Sequence, residues 1–366
     1  MPSVSTFLLP LSAASVIELI AAAFQADLPL FIWGPPGIGK SAFVRQAAEL
    51  QGWTEADGSF IDVRLSQMEP VDLRGLPVPD LISDPNAPKT NWLPPTWLPF
   101  EGSRGPDAGV LFLDEASSAP PSVQAAAYQL VLDRQLGEAK LKKGWRLILA
   151  GNRVTDGGVA FRLAMPLANR MLHVKTEASL DAWTDWAMGE DIDWDVIGFL
   201  QFRPNLLSTF EAAKNAQEVA FATPRSWEMV STILKTQPGQ DVLETLIAGA
   251  VGQGVALEFI AYRALKQDLP KIDDILAGKS AQCAEKADVR YATTVALASR
   301  VIQEGDKNEQ RAQAMSQHCI AWLDRLDIRF AAFFVNLVRR KKSLLLQGGT
   351  HTQWVEKHAA LLGGKK

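Results

Sequence analysis

The segment Gly34-Pro35-Pro36-Gly37-Ile38-Gly39-Lys40-Ser41 has the residue types and the spacing of a phosphate-binding loop. In such a loop, consecutive backbone N–H groups surround the nucleotide phosphates, and the N-terminus of the following helix adds positive potential. The ammonium group of Lys40 would neutralise phosphate charge, and the hydroxyl group of Ser41 would ligate Mg²⁺. Because the segment lies between the apolar run Leu28–Trp33 and an amphipathic stretch, it predicts a site for a nucleoside triphosphate.

A second apolar run, Val110-Leu-Phe-Leu-Asp114-Glu115, ends in two carboxylates. A parallel strand that is buried on both faces has a continuous apolar sequence, and ligands bind at the carboxyl ends of such strands. Asp114 is expected to hold Mg²⁺ through its water shell, and Glu115 to orient and polarise the attacking water in phosphoryl transfer. A strand that ends in solvated acids would give the same pattern, but the motif upstream favours the catalytic interpretation.

Two further polar residues stand at the ends of predicted elements. Asn152 follows the apolar run Arg146–Ala150, which would place its amide at the edge of the sheet beside the γ-phosphate, although it could instead cap the next segment. Thr223 has the character of a helix N-cap and Pro224 of a first helical residue. Arg225 is therefore expected to project from the first turn of a helix.

With these motifs the chain resembles the MoxR-like branch of the AAA+ ATPases, often described as dynein-related AAA domains. The resemblance covers roughly residues 10–265 and rests on GPPGIGKS, LFLDEASSAPPSVQAAAYQLVLDRQLG, ILAGN, PLANR and TPRS. The stretch from Ser66 to Pro79 is also similar to an insertion in this branch that ends in Asp-Leu-x-Gly. The resemblance implies that the nucleotide is ATP, that Mg²⁺ accompanies it, and that hydrolysis occurs in a ring, expected to be hexameric.

The resemblance also assigns roles to single residues. It implies that Asn152 is the first sensor of the γ-phosphate and that Arg225 is the second sensor, which reports to the lid. The segment PLANR, which ends at Arg170, lies where an AAA+ protomer sends an arginine finger into the site of its neighbour. Arg170 is the best candidate for this finger, unless it is a surface ion-pair residue. Its competitors are Arg162 and Arg153.

The sequence departs from the family pattern in two places. Ser117 and Ser118 follow the second motif where the family usually has Asn-Arg, and Asn169 replaces the acid of the usual Leu-Asp-Arg. The catalytic residues themselves are retained, so we expect hydrolysis to survive both changes. The contacts that the replaced side chains make with a neighbour or a client protein cannot be carried over.

A length of 366 residues agrees with two or three domains, and a hydrophobic content of 47% is ample for buried cores. A net charge of −4 gives no electrostatic footprint for nucleic acid, and the basic run Arg339–Lys342 is interpreted as a solvated helix end. Cys283 and Cys319 have no partner at ligand spacing, which argues against structural zinc or a disulfide framework and favours a reducing cytoplasm. The apolar stretch Leu19–Phe24 is too short to span a membrane.

Alternating strand and helix signals predict an α/β fold, an AAA+ P-loop core with a parallel sheet between helices. The expected strands are Leu30–Trp33, Phe60–Arg64, Val110–Asp114, Arg146–Ala150 and Met171–Val174. The proline-rich residues 77–106 are expected to form a long loop or hairpin at the face or pore of a ring. Helical spacing dominates afterwards, so we predict a core at 1–176, a helical lid at 177–268 with a helix over Val242–Lys266, and a helical extension at 269–366.

The favoured function is therefore ATP hydrolysis coupled to the remodelling or maturation of a protein complex. The resemblance implies a protein client and often a partner with a von Willebrand factor A domain. Three alternatives remain open at this point. The chain could be the motor subunit of a cobalt or magnesium chelatase, a restriction-type nucleic-acid motor, or a nucleotide-gated scaffold with negligible turnover.

Overall fold

The computed structural model describes residues 13–80, 89–156, 161, 163, 165–279, 281–282, 285–346 and 354–358. The chain divides into two compact units, Met1–Ser179 and Leu180–Lys366. The strands of the first unit are β1 Leu30–Trp33, β2 Phe60–Arg64, β3 Leu76–Asp80, β4 Lys89–Leu93, β5 Ala108–Asp114, β6 Gln135–Leu136, β7 Ala139–Lys140, β8 Gly144–Gly151 and β9 Leu172–Lys175. Its helices are α1 Ala13–Ala26, α2 Lys40–Glu49, α3 Pro70–Arg74, α4 Pro121–Asp133 and α5 Met165–Ala168.

The main sheet of the first unit has five parallel strands in the order β2-β5-β8-β1-β9. β8 therefore lies between the strand that precedes the phosphate-binding motif and the strand that ends in Asp114. Since parallel strands bring their carboxyl ends to one edge, this order gathers the predicted site residues that follow β1, β5 and β8 at that edge. All five strands stand where the sequence predicts them, with boundaries that differ by at most two residues.

Helices cover both faces of this sheet. Successive side chains of each strand point to opposite faces, so they pack in two separate hydrophobic cores. On β5, Phe112 packs with α1 and α2 residues such as Ile20 and Val44, whereas Leu111 packs with α3 and α4 residues such as Leu73 and Leu130. Burial on both faces explains the continuous apolar sequence of this strand. The predicted α/β class, a parallel sheet between helices followed by a helical part, is confirmed.

The proline-rich stretch forms a hairpin, which was one of its two predicted forms. β3 and β4 pair antiparallel, with Leu76 opposite Leu93 and Val78 opposite Asn91. Prolines at positions 77 and 79 are compatible with β3 because each strand of this two-stranded sheet has one unpaired edge. Residues 81–88, between the two strands, lie outside the described part.

Within its described residues, the second unit contains helices and no β-strand. These helices are α6 Leu180–Gly189, α7 Trp194–Phe202, α8 Phe210–Ala216, α9 Pro224–Lys235, α10 Gln240–Val251, α11 Gln253–Ala264, α12 Ile272–Leu276, α13 Ala287–Gly305, α14 Glu309–Leu326 and α15 Ile328–Lys342. The single helix predicted over Val242–Lys266 is wrong, since the chain breaks at Gly252 with a φ of 88°. A side chain there would also meet the carbonyl oxygen of Ala220 at 2.9 Å.

An aromatic cluster joins α7 to the later helices of the second unit. The ring of Phe199 lies 5.5 Å from that of Trp227 and 5.2 Å from that of Phe259. The ring of Tyr291 on α13 lies 5.8 Å from Phe202. Aromatic side chains of the predicted lid therefore pack against those of the predicted extension. The domain boundary expected after residue 268 stays a prediction. In the described part of the chain, no helix is long and apolar enough to cross a membrane.

Candidate functional site

The phosphate-binding motif forms the turn between β1 and α2. Gly39 is the N-cap of α2 with a φ of 92°, and Gly37 has a φ of 74°, a region that glycine adopts without strain. Gly34 has no room for a side chain, because a Cβ atom would lie 2.5 Å from Ile38 Cδ1 and 2.8 Å from the carbonyl oxygen of Thr176. The glycines therefore set a backbone path that directs the first amides of α2 toward the loop.

Lys40 joins this loop to the end of β8. Its ammonium group donates to the carbonyl oxygens of Gly34 at 2.8 Å and Pro35 at 2.9 Å, and to Asn152 Oδ1 at 2.8 Å. Asn152 follows the last residue of β8, at the sheet edge where the sequence places it. A lysine and an amide side chain thus meet where a bound γ-phosphate would need both a positive charge and a hydrogen-bond donor.

Ser41 and Asp114 form the second contact of the site. Ser41 Oγ donates to Asp114 Oδ2 at 2.8 Å, and Asp114 Oδ1 accepts from the backbone N–H of Glu115 at 2.7 Å. A hydroxyl and a carboxylate at this separation supply the hard oxygen ligands that Mg²⁺ prefers, and Mg²⁺ commonly keeps waters and phosphate oxygens as its other ligands. The residues present therefore fit a Mg²⁺ ion.

A further carboxyl group, that of Asp62 on β2, lies near this pair. Burial, followed by the negative charge of Asp114, raises the pKa of Asp62, and Arg45 opposes this effect from 3.8 Å. Asp62 Oδ1 is buried and has no hydrogen-bond partner among the described residues. Asp62 stands opposite Phe112 in the sheet, two residues before the end of β2, so it is a neighbour of the Ser41–Asp114 pair and not one of the predicted ligands.

Glu115 has a backbone conformation that its residue type rarely adopts. Its φ is 55°, in the left-handed region, which costs on the order of 1–3 kcal/mol for a residue other than glycine. Ser66, which follows β2, donates a hydrogen bond from Oγ to Glu115 Oε2. Nothing in the sequence marks Ser66 as a site residue, because its contact with Glu115 follows from the pairing of β2 with β5, in which Arg64 stands opposite Asp114.

Ser117 stands where the resembled family usually has asparagine, and it is completely buried. Its Oγ accepts the backbone N–H of Asn152 at 2.9 Å, and its carbonyl oxygen accepts the N–H of Phe161 at 2.7 Å. A Cβ atom at Gly151 would lie 2.5 Å from Ser117 Oγ, so the glycine makes this approach possible. Ser117 thus ties the turn after β5 to the residue that contacts Lys40.

We expect Ser117→Ala to lower kcat for ATP about tenfold, because an unsatisfied buried N–H costs about 1–3 kcal/mol and about 1.4 kcal/mol corresponds to a factor of ten. ATP affinity should change less, since the contacts of Lys40 with the loop remain. Steady-state kinetics and equilibrium binding measure the two effects. Ser118→Ala is the matched control, as it removes the same group one position along the turn, and an equal loss in both variants would contradict the role of Ser117.

The three arginines considered for a finger differ in their surroundings. Arg170 is exposed, two residues after α5, and no ion pair of Arg170 occurs among the described residues. Arg153 is bound to the buried Asp156, with Nη2 at 2.7 Å and Nε at 2.9 Å from Oδ1. Arg162 lies outside the described residues. The guanidinium group of Arg153 is therefore engaged within its own chain.

Arg225 belongs to the second unit, at the start of α9. Thr223 is the N-cap of α9, its Oγ1 accepts the N–H of Ser226 at 3.1 Å, and Pro224 is the first helical residue. The predicted helix start is confirmed. Arg225 is exposed in the first turn, and its role as a sensor stays a prediction.

No family model matches the sequence, and no curated protein shows a significant match to it. Among solved structures, a mutant of Thermotoga maritima RuvB is 17% identical. The match covers 72% of this chain and 74% of the RuvB chain, with a TM-score of 0.36. NtrX from Brucella abortus in complex with ATP is 16% identical, and the match covers 92% of this chain and 69% of the NtrX chain, with a TM-score of 0.38. A putative ATPase from Cytophaga hutchinsonii is 10% identical, and the match covers 91% of this chain and 74% of the ATPase chain, with a TM-score of 0.30. Likeness of this extent carries no information on function.

Proposed function

We propose that the chain is an ATP hydrolase that acts at the edge of the five-stranded sheet. The observation that carries the proposal is the single constellation in which Lys40 contacts Asn152, Ser41 contacts Asp114, and Glu115 follows directly. Three elements that are distant in sequence contribute to it, namely α2, β5 and β8. Phosphoryl transfer needs little beyond positioning and charge stabilisation, and these residue types supply both.

Each residue has one task in the proposed reaction. The loop amides and Lys40 hold the β- and γ-phosphates, and Asn152 orients the γ-phosphate. Ser41 and Asp114 would hold Mg²⁺, which neutralises negative charge on the phosphates when it is bound. Glu115 accepts a proton from the attacking water while the water oxygen bonds to the γ-phosphorus and the bond to the bridging oxygen of ADP breaks.

A ring would complete the site. Arg170 is exposed and Arg153 is engaged by Asp156, which supports Arg170 as the residue that reaches the site of a neighbouring protomer. We propose a homo-oligomeric ring, hexameric by family resemblance, with Arg225 as the second sensor. Such a ring converts hydrolysis into movement of a bound protein.

For the cellular role, the MoxR-like motifs favour remodelling or maturation of a protein complex, together with a partner that carries a von Willebrand factor A domain. A chelatase motor subunit would share every motif and would be distinguished by its partner subunits. A nucleotide-gated scaffold would bind ATP without turnover, and the presence of both Lys40 and Glu115 speaks against it.

A restriction-type nucleic-acid motor would need a basic face, and two of the four basic residues at the end of α15 are paired with acids. Arg340 Nε lies 2.7 Å from Asp185 Oδ1, and Lys342 forms an ion pair with Asp306. These acids reduce the local positive potential that counterion release requires. A protein client is therefore the better-supported partner.

The test of hydrolysis is phosphate release by the purified full chain with ATP and Mg²⁺, which should stop when EDTA removes the metal. No release above background, in a preparation that binds ATP, would leave the scaffold as the function. The test of the cellular role is isolation of the native chain with its bound proteins. Recovery of chelatase subunits would replace the remodelling proposal.

A further inference from the structure

The imidazole of His173 on β9 makes two hydrogen bonds that connect different parts of the first unit. Its Nδ1 lies 3.0 Å from Trp33 Nε1, and its Nε2 lies 2.7 Å from the carbonyl oxygen of Ala168. An indole N–H can only donate, so Nδ1 must be the acceptor. The proton of the neutral ring is therefore on Nε2, where it is donated to Ala168.

One end of this connection is the strand that carries the phosphate-binding loop. Trp33 is the last residue of β1 and directly precedes Gly34. Its ring stacks on Phe31 at 4.0 Å between centroids, and Phe31 is fully buried in the core beneath the sheet. The indole is therefore a firm anchor for the imidazole.

The other end is the short helix that precedes the proposed finger. Ala168 is the last residue of α5, and the carbonyl groups at a helix end have no partner within the helix. Arg170 follows two residues later, with its backbone N–H bound to the carbonyl oxygen of Leu167 at 3.0 Å. The contact from His173 thus fixes the end of the turn from which Arg170 leaves.

We propose that His173 is a positioning residue that holds the Arg170 segment against the strand of the phosphate-binding loop. The inference rests on the proposed function, because Arg170 matters to hydrolysis only if it acts as a finger. Loss of the His173 ring is therefore expected to impair hydrolysis in the site of the neighbouring protomer. Nucleotide binding in the site of the substituted protomer should stay intact.

A purely structural role of His173 would have a different signature. The backbone of β9 is held by its pairing with β1, where His173 stands opposite Phe31, and this pairing does not need the imidazole. Removal of the ring therefore leaves the sheet in place and releases only α5 and the indole. A general loss of stability would instead lower ATP binding and hydrolysis together.

The experiment uses the full chain and compares three substitutions with wild type. His173→Ala should bind ATP normally and hydrolyse it about 10²-fold more slowly, since a displacement of about 1 Å costs on that order. His173→Gln places an amide N–H near the position of Nε2, so it should keep most activity. His173→Asn can accept from Trp33 but cannot reach Ala168, so it should resemble His173→Ala.

Mixing distinguishes a displaced finger from a damaged pocket. His173→Ala protomers mixed with Lys40→Ala protomers should regain activity, because the second variant supplies an ordered finger to the intact pocket of the first. Wild-type activity of His173→Ala, or a loss of ATP binding without recovery on mixing, would overturn the inference. Trp33→Phe, which removes the indole N–H donor together with one of the two fused rings, should show a smaller loss that also recovers on mixing.

Failure of the proposed function would be recognised separately. Arg170→Ala mixed with Lys40→Ala tests the finger itself, and absence of recovery there would remove the finger whatever His173 does. Recovery for Arg170→Ala without recovery for His173→Ala would reject only the positioning role. Thermal unfolding of every variant identifies a folding defect. If His173→Ala does not fold, the comparison of His173→Gln with His173→Asn still tests the positioning role.

Discussion

Lys40→Ala is expected to abolish ATP binding at concentrations that saturate the wild-type protein. The ammonium group lies within 2.9 Å of three oxygen acceptors from the loop and from Asn152, so it stands where the phosphates must bind. Truncating one partner of a hydrogen-bonded charge pair costs about 2–5 kcal/mol, or roughly 30-fold to 5,000-fold in affinity. Equilibrium binding of ATP in the presence of Mg²⁺ measures this loss.

Lys143→Ala is the matched control for this experiment. Lys143 is exposed in the turn before β8, so its removal changes the net charge by the same amount without touching the loop. It should bind ATP as the wild type does. Equal affinity of Lys40→Ala and wild type would show that the nucleotide, if it binds, is held elsewhere.

Arg170→Ala is expected to bind ATP almost normally and to hydrolyse it about 10³-fold or more slowly, the typical effect of losing an arginine finger. The physical reason is that a finger stabilises charge that develops in the transition state, which leaves ground-state binding nearly unchanged. Phosphate release and equilibrium binding, measured on the same assembled preparation, separate the two effects. A parallel fall in both would indicate damage to the pocket of the same chain.

A mixture of two inactive variants tests whether Arg170 acts on a neighbour. Lys40→Ala protomers have a disabled pocket but an intact arginine, and Arg170→Ala protomers have the reverse. Some interfaces of a mixed ring then pair a competent pocket with a competent arginine, and activity should partly return. Arg153→Ala gives no such recovery, because its guanidinium group serves Asp156 within the chain. Co-assembly without recovery at any ratio would refute a role in trans.

The central sheet could be predicted from the sequence because its signals are local. β5 is buried on both faces and therefore has a continuous apolar sequence that ends in Asp114. The phosphate-binding loop needs glycine where φ is positive, and a fixed spacing of Lys40 and Ser41 relative to those glycines. Thr223 and Pro224 similarly mark the start of α9 by capping chemistry that acts within one helical turn.

The contacts that adjust the site could not be predicted in this way, since each depends on residues distant in sequence. Ser66 meets Glu115 only because β2 and β5 are neighbours, and Ser117 meets Asn152 only because β8 lies beside β5. The imidazole of His173 reaches Trp33 across 140 residues of sequence. Single serines and histidines carry no periodic signal, so their roles emerge only from the strand order.

The break between α10 and α11 was missed for a related reason. The apolar pattern of the two helices continues across Gly252, and an isolated glycine inside a helical pattern costs only about 1 kcal/mol. What ends α10 is the close approach of the chain at Ala220, which excludes a side chain at this glycine. This contact again depends on tertiary structure.

The most direct test of the account is phosphate release by Glu115→Gln at saturating ATP and Mg²⁺, with bound nucleotide measured on the same sample. The substitution keeps the size of the side chain and removes the base that accepts the proton of the attacking water. ATP should remain bound, and hydrolysis should fall by about 10²-fold or more, the usual contribution of a general base. Hydrolysis at the wild-type rate would contradict the assignment of Glu115 and, with it, the proposed catalytic site.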